Sequence, residues 1–336
     1  MSIQTDFSKT FNLELPIIMA PMFLVSNEPM LQAAMRKGIM GSFPTLNYRK
    51  EGELDTVLNN LNTYRVTHNC KGNYGVNLIV QQTNPLYKKH LESCVKAKVP
   101  FYITSLGNPE EVIKQAHAYG AKVYCDVTNL VHAKKCASVG CDGFIAVGQG
   151  AGGHAGPYPH MILIPTLKKH FPEIPVIAAG GIATGDGLLS ILALGASGAS
   201  IGTLFIASPE SKVSDEYKQA IIDSGMEDIV LTERLSGTPC AIINTPYAKK
   251  IGTKQGWWER LLSNNSTTKK YFKMLVQIKG MKNLEDAVKP GNYKNLWCAG
   301  QTVELIDKIT PCEEIIARLQ METNSALKKL NNDFQS

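Results

Sequence analysis

Gly143-Phe144-Ile145-Ala146-Val147-Gly148-Gln149-Gly150-Ala151-Gly152-Gly153-His154-Ala155-Gly156 joins a short apolar run to a glycine-rich stretch. The run 143–147 is apolar on both faces, as a fully buried parallel strand must be. The glycines of 148–156 add nothing to a core and carry extra backbone entropy. They suit a chain that bends sharply and lies flat against another surface at the strand's C-terminal end. One titratable side chain, His154, stands among them. A buried strand ending in such a loop reads as a cofactor site with a single acid/base. The plain alternative is a glycine-rich surface turn.

The same strand-then-helix rhythm extends to both sides. Apolar runs at 15–20, 39–43, 74–80, 101–104, 122–127, 143–147, 175–179 and 199–202 read as strands. Helical periodicity falls between them at 28–37, 53–62, 85–96, 109–119, 130–138, 161–170 and 186–194. Gly38, Gly120, Gly140 and Gly195 follow helices where left-handed C-caps are expected. Eight such units predict an α/β protein with a (β/α)8 TIM barrel. An open doubly wound sheet would more often put its glycine fingerprint after the first strand. Here the first strand runs into Ala20-Pro21-Met22, and the glycines follow the sixth and seventh.

The rhythm breaks after the eighth strand. Residues 1–225 plus 295–336 are expected to form the barrel, with a terminal helix over 311–330. Residues 226–294 are expected to form a smaller mixed or helical insert covering the C-terminal mouth. Trp257, Trp258, Tyr271 and Phe272 either shape its pocket or form its own core.

Composition narrows the classes. The 336-residue chain carries a net charge of +6, with scattered lysines and no basic run interleaved with aromatics. No nucleic-acid groove is expected. Its eight cysteines show no Cys-x-x-Cys or zinc-like spacing, so no metal is expected. The polar start lacks a signal-peptide core, and no apolar run approaches the ~18 residues of a membrane span. A reduced, cytoplasmic protein is the expectation, with no membrane partner and an open oligomeric state.

Barrel enzymes bind ligands at the C-terminal ends of their strands, with phosphate between the last two loops. Gly180-Gly181-Ile182-Ala183-Thr184-Gly185 and Gly202-Thr203 present bare backbone N–H groups there. The helix after Thr184 is expected to add its N-terminal dipole. With no Walker A loop and no first-strand fingerprint, FMN fits better than ATP or a dinucleotide. Asn77, inside the run 74–79, is a polar group that needs partners. A flavin's polar edge supplies them, as a structural hydrogen bond also would. Lys122 and Asp126, at either end of the fifth strand, carry less weight; an ion pair elsewhere accounts for each nearly as well.

Pro16-Ile17-Ile18-Met19-Ala20-Pro21-Met22, Gly75-Val76-Asn77, Ala151-Gly152-Gly153-His154, Ala178-Ala179-Gly180-Gly181-Ile182 and Ile201-Gly202-Thr203 stand in a telling order. In that order the chain resembles the nitronate monooxygenases and the flavin-dependent enoyl-acyl-carrier-protein reductases of the same superfamily. The likeness returns at Leu296-Trp297-Cys298-Ala299-Gly300-Gln301. It implies that Ala20, Pro21 and Met22 lie along the flavin ring and that Asn77 bonds its polar edge. Gly152, and with it Gly153, would approach the ring, and Gly180, Gly181, Gly202 and Thr203 would hold the FMN phosphate. Lys122 and Gln301 join the candidate cofactor set. His154 matches the catalytic histidine. Many members read Gln-Gly-x-Glu-Ala-Gly-Gly-His, whereas this chain has Val147 and Gly150 at the Gln and Glu positions. Gln149 is the candidate to serve from a shifted position.

Three functions follow. The first is oxidation of alkyl nitronates or nitroalkanes by O2 to carbonyl compounds and nitrite, with His154 as base. The second is NAD(P)H-dependent reduction of enoyl thioesters or quinones through the same FMN. The third is non-catalytic binding of a flavin or phosphate ligand.

Overall fold

The computed structural model describes residues 3–81, 83–235, 238–254 and 296–333. Eight parallel strands close into a barrel: β1 (Ile17–Met19), β2 (Met40–Pro44), β3 (Asn73–Ile79), β4 (Phe101–Ser105), β5 (Lys122–Val127), β6 (Gly143–Val147), β8 (Val176–Ala179) and β9 (Gly198–Ile201). They pair in chain order, and β1 closes on β9 through Ile17↔Ala199 and Met19↔Ile201. Each lies within or next to an expected apolar run. The doubly wound alternative is excluded by this closure.

Alternation along the strands sorts the core into two shells. Ile18, Met40, Phe101, Ile103, Tyr124, Ile145 and Ile177 fill the barrel interior. Residues of the opposite parity, such as Tyr102, Val123 and Phe144, pack under the surrounding helices. Those helices follow local rules. In α2 (Glu28–Arg36), Asn27 accepts the Met30 N–H as N-cap and Pro29 sits in the first turn. One face, including Met30, Leu31, Ala34 and Met35, is buried.

An element not expected from the polar start closes the barrel's N-terminal end. Helix α1 (Asp6–Phe11) is held by a Thr5/Ser8 capping box. Its Phe7 is fully buried and meets Phe101 edge-on and Tyr124 at a tilt, each at a ring-centroid distance of 5.8 Å. Burying one such ring contributes about 2–3 kcal/mol. This plug leaves the opposite end as the mouth.

The Gly-rich stretch is not wholly loop. Gly153–His154 forms a two-residue strand, β7, in a second sheet of order β10–β11–β7, with β10 (Ile229–Thr232) and β11 (Cys240–Ile243). The beginning of the expected insert is thus stitched to the loop that carries His154. Residues 255–294, with the expected helices and Trp257, Trp258, Tyr271 and Phe272, lie outside the described residues.

Candidate active site

The glycines after β6 and β8, together with Gly300, let three backbones touch. Gly181 donates its N–H to the Gly150 carbonyl at 3.0 Å. Gly180 adopts φ +101°, and a Cβ there would lie 2.4 Å from the Ala151 nitrogen. A Cβ on Gly152 would lie 2.7 Å from the Gly300 nitrogen, and one on Gly300 would lie 2.6 Å from the Gly150 oxygen. So 148–156, 180–181 and 299–300 stack backbone on backbone. Part of the glycine content therefore serves loop-to-loop packing. Gly153 and Gly181 differ: both have positive φ, +71° and +74°, and nothing closer than 3.8 Å where a side chain would point.

His160 braces this stack from outside. It opens helix α7 (His160–His170), its ring lies against Gly148, and its Nε2–H donates to the Gly180 carbonyl at 2.9 Å. On the other side Thr203 Oγ1 accepts the Gly300 N–H at 3.0 Å. The expected phosphate contact Thr203 is thus first a tie between the loop after β9 and the segment 296–301.

His154 pairs with Cys240 across β7 and β11. Its side chain is exposed, yet the surrounding protein desolvates the ring and pulls its pKa below the ordinary histidine value. The ring is therefore neutral at neutral pH and able to take up a proton. Beneath it the Cys240 and Cys298 sulfurs are 3.9 Å apart. The Cys298 carbonyl accepts from the Tyr217 hydroxyl at 2.5 Å, and Tyr217 stacks on Trp297 with centroids 5.2 Å apart. These contacts fix the strand on which the histidine loop rests.

Ala20, Pro21 and Met22 leave β1 at the mouth. Ser26 Oγ accepts the Met22 N–H at 2.9 Å and donates to the Ala20 carbonyl at 3.0 Å. Asn47 holds the same turn, giving Nδ2–H to Met22 and Ser26 carbonyls and accepting the Leu24 N–H. A Cβ on Gly202 would touch Ala20 Cβ and Met22 Sδ at 3.5 Å each, so these expected site residues meet.

Asn77 is buried on the inner face near the end of β3. Its Nδ2 donates to Ser105 Oγ at 2.7 Å and to the Ile103 carbonyl at 3.3 Å. Ser105 in turn donates to Asp126 Oδ2 at 2.5 Å. Neither Ser105, Ser26 nor Asn47 stood out in the sequence. Ser105 carried a signal: it continues the inner-face parity of Phe101 and Ile103 with a hydroxyl.

Two expectations are corrected. Lys122 is the first residue of β5, at the plugged end of the barrel, and its Nζ binds Asp142 Oδ1 at 2.9 Å. Asp142 also accepts the Val123 N–H and His117, which keeps its pKa low against the effect of burial. A lysine held there cannot reach a ligand in the mouth. The dipole of α8 (Gly185–Ala193) is likewise already engaged. Glu322 Oε2 accepts the Gly185 N–H at 2.8 Å, and the C-terminal helix (Cys312–Asp333) presses on Gly185. A carboxylate at that helix start would repel a phosphate. Gln149 and Gln301 are both exposed; the Gln149 N–H bonds the Tyr158 carbonyl, and Gln301 opens a short 3₁₀ turn.

The site has relatives. The family model described as nitronate monooxygenase matches residues 46–322. A Rhodococcus jostii protein named (3aS,4S,5R,7aS)-5-hydroxy-7a-methyl-1-oxo-octahydro-1H-indene-4-carboxyl-CoA dehydrogenase is 24% identical, over 94% of each chain. A Staphylococcus aureus protein named probable nitronate monooxygenase is 32% identical over 51% of each chain. The structure of FabK from Thermotoga maritima superposes with a TM-score of 0.83 at 28% identity, covering 98% of this chain and 99% of that one. From its barrel, its loops and the matched span, the chain belongs to the nitronate monooxygenase family of oxidoreductases.

Proposed function

We propose that this chain is an FMN-dependent nitronate monooxygenase, converting alkyl nitronates, and nitroalkanes after loss of a proton, to carbonyl compounds and nitrite with dioxygen. The observation that carries the reading is His154: a neutral, accessible imidazole beside the stacked glycine loops at the barrel mouth. The residues present fit FMN. Gly181 and Gly153 leave open the space a Cβ would point into, and Asn77 engages its amide N–H groups within the barrel and keeps Oδ1 for a ligand. Gly180, Gly181, Gly202 and Thr203 would hold the phosphate, and Ala20, Pro21, Met22, Asn77, Gly152 and Gly153 the ring. Gln149 and Gln301 would border it.

Bound FMN would supply the electron acceptor and the centre at which dioxygen is consumed. The chain supplies the rest. An imidazole nitrogen of His154 takes the α-proton of a neutral nitroalkane, as an uncharged ring can. The apolar inner layer of Ile103, Tyr124, Ile145 and Ile177 closes the floor below the site to water. The test is direct: heat-released supernatant should contain FMN, and nitrite should accumulate from propyl nitronate. FAD alone, or no flavin that rebinds, would overturn the assignment.

A second reading is favoured by coverage. FabK and the indene-4-carboxyl-CoA dehydrogenases match nearly the whole chain, whereas the probable nitronate monooxygenases match half. On that reading the same FMN exchanges hydride with NAD(P)H, and His154 gives or takes the proton on an acyl thioester or a quinone.

A further inference from the structure

We propose that Asp126 is a positioning residue that, through the Ser105 hydroxyl, fixes the Asn77 amide so that the barrel mouth meets its ligand with a hydrogen-bond acceptor. The proposal rests on the reading above that Asn77 faces the cofactor's polar edge.

The polarity follows from counting protons. Ser105 has one, and its oxygen lies 2.5 Å from Asp126 Oδ2 and 2.7 Å from Asn77 Nδ2. A carboxylate only accepts, so the serine proton goes to Asp126 and the serine oxygen takes an Asn77 N–H. The second Asn77 N–H goes to the Ile103 carbonyl at 3.3 Å. Turning the amide over would set Oδ1 against that carbonyl and against a serine whose proton is engaged elsewhere. Oδ1 is left for whatever binds above.

The carboxylate is costly where it stands. Asp126 shares the inner-face parity of Tyr124, and the residues in register with it on β6 and β8 are Ile145 and Ile177. Burial pushes its pKa up to about 6, with the Ser105 hydrogen bond acting the other way. An apolar residue would fill that layer at lower cost. What Asp126 adds is an acceptor that sets the direction of the chain Asn77 → Ser105 → Asp126.

An acceptor at the mouth selects a ligand with a donor. The polar edge of an isoalloxazine carries one imide N–H between two carbonyls. Asn77 Oδ1 matches the N–H; a reversed amide would match the carbonyls instead. The ligand class is therefore a cyclic imide held by its N–H.

The test is a competition on holoprotein. Wild type, Asp126→Asn, Asp126→Leu and Ser105→Ala are dialysed against equal FMN and N3-methyl-FMN, and the bound ratio is read by chromatography. Wild type should favour FMN by about tenfold. Asp126→Asn keeps an acceptor for the serine proton and should retain that preference. Asp126→Leu and Ser105→Ala should lose most of it while melting as folded proteins. If the leucine variant is insoluble, Ser105→Ala carries the test alone. Equal preference in all four, or loss in Asp126→Asn as large as in Asp126→Leu, overturns the proposal. Wild type that binds neither flavin overturns the cofactor reading instead.

Discussion

Gly180→Ala tests whether the glycine loops are built to touch. The added Cβ would sit 2.4 Å from the Ala151 nitrogen and 2.5 Å from its Cα. Ordinary contact begins about 1 Å further out, and the obstacle is backbone, which cannot rotate away. Overpacking of this kind costs about 1–3 kcal/mol. The backbone at φ +101° adds roughly 1–2 kcal/mol for a residue with a side chain. The total, about 2–5 kcal/mol, corresponds to a melting temperature lowered by roughly 4–15 °C. Gly181→Ala is the internal control. Its φ is +74° but its nearest neighbour is Gly150 Cα at 3.8 Å, so only the backbone strain remains, about 1–2 kcal/mol. Thermal unfolding of both variants, followed with released flavin, separates the two contributions. Gly180→Ala should melt well below Gly181→Ala and shed its flavin first. Equal melting temperatures would refute the argument that these backbones need each other's absent side chains.

Other consequences can be checked in parallel. His154→Ala should lower turnover of neutral nitroalkanes by about a hundred- to ten-thousandfold and of preformed nitronate far less, since only the former needs a base; equal losses would make the histidine a binding group. Because desolvation by the surrounding protein lowers the His154 pKa, the nitroalkane rate should persist as pH falls past the ordinary histidine range and fail only below it; a rate already lost above that range would contradict the neutral ring. Asp126 has a raised folded-state pKa, so its contribution to stability is present below about 4 and lost as pH rises towards 6. Asp126→Asn should therefore gain in melting temperature relative to wild type across that window, and a gain independent of pH would refute the burial argument. Glu322→Gln should cost about 1 kcal/mol by weakening the α8 cap and leave FMN affinity unchanged; tighter FMN binding would return the α8 dipole to the site.

The barrel was legible because its strands are short apolar runs between glycine-ended helices, a pattern each segment carries by itself. The β6 loop was legible because no packing role explains so many glycines at one strand end. What stayed hidden depends on contacts between distant segments. Glu322 reaches Gly185 across 137 residues, and nothing near Thr184 announces that its helix start is taken. Lys122 was a candidate because a charge in a strand is notable, but its place at the strand's first residue put it at the wrong end. Ser105 and Asn47 escaped because one polar residue near a strand or in a turn is ordinary until its partners are known. The short plug Asp6–Phe11 was hidden in a polar start, since only Phe7 and Phe11 carry its apolar face.

The measurement closest to the central claim is anaerobic mixing of the yellow protein with propyl nitronate or with NADH and NADPH, followed by admission of air. The account predicts that the nitronate bleaches the flavin rapidly, that neither nicotinamide does, and that air restores the colour as nitrite appears. Rapid bleaching by NADH or NADPH, with the nitronate inert and no nitrite released, would contradict it and assign the site to the reductase.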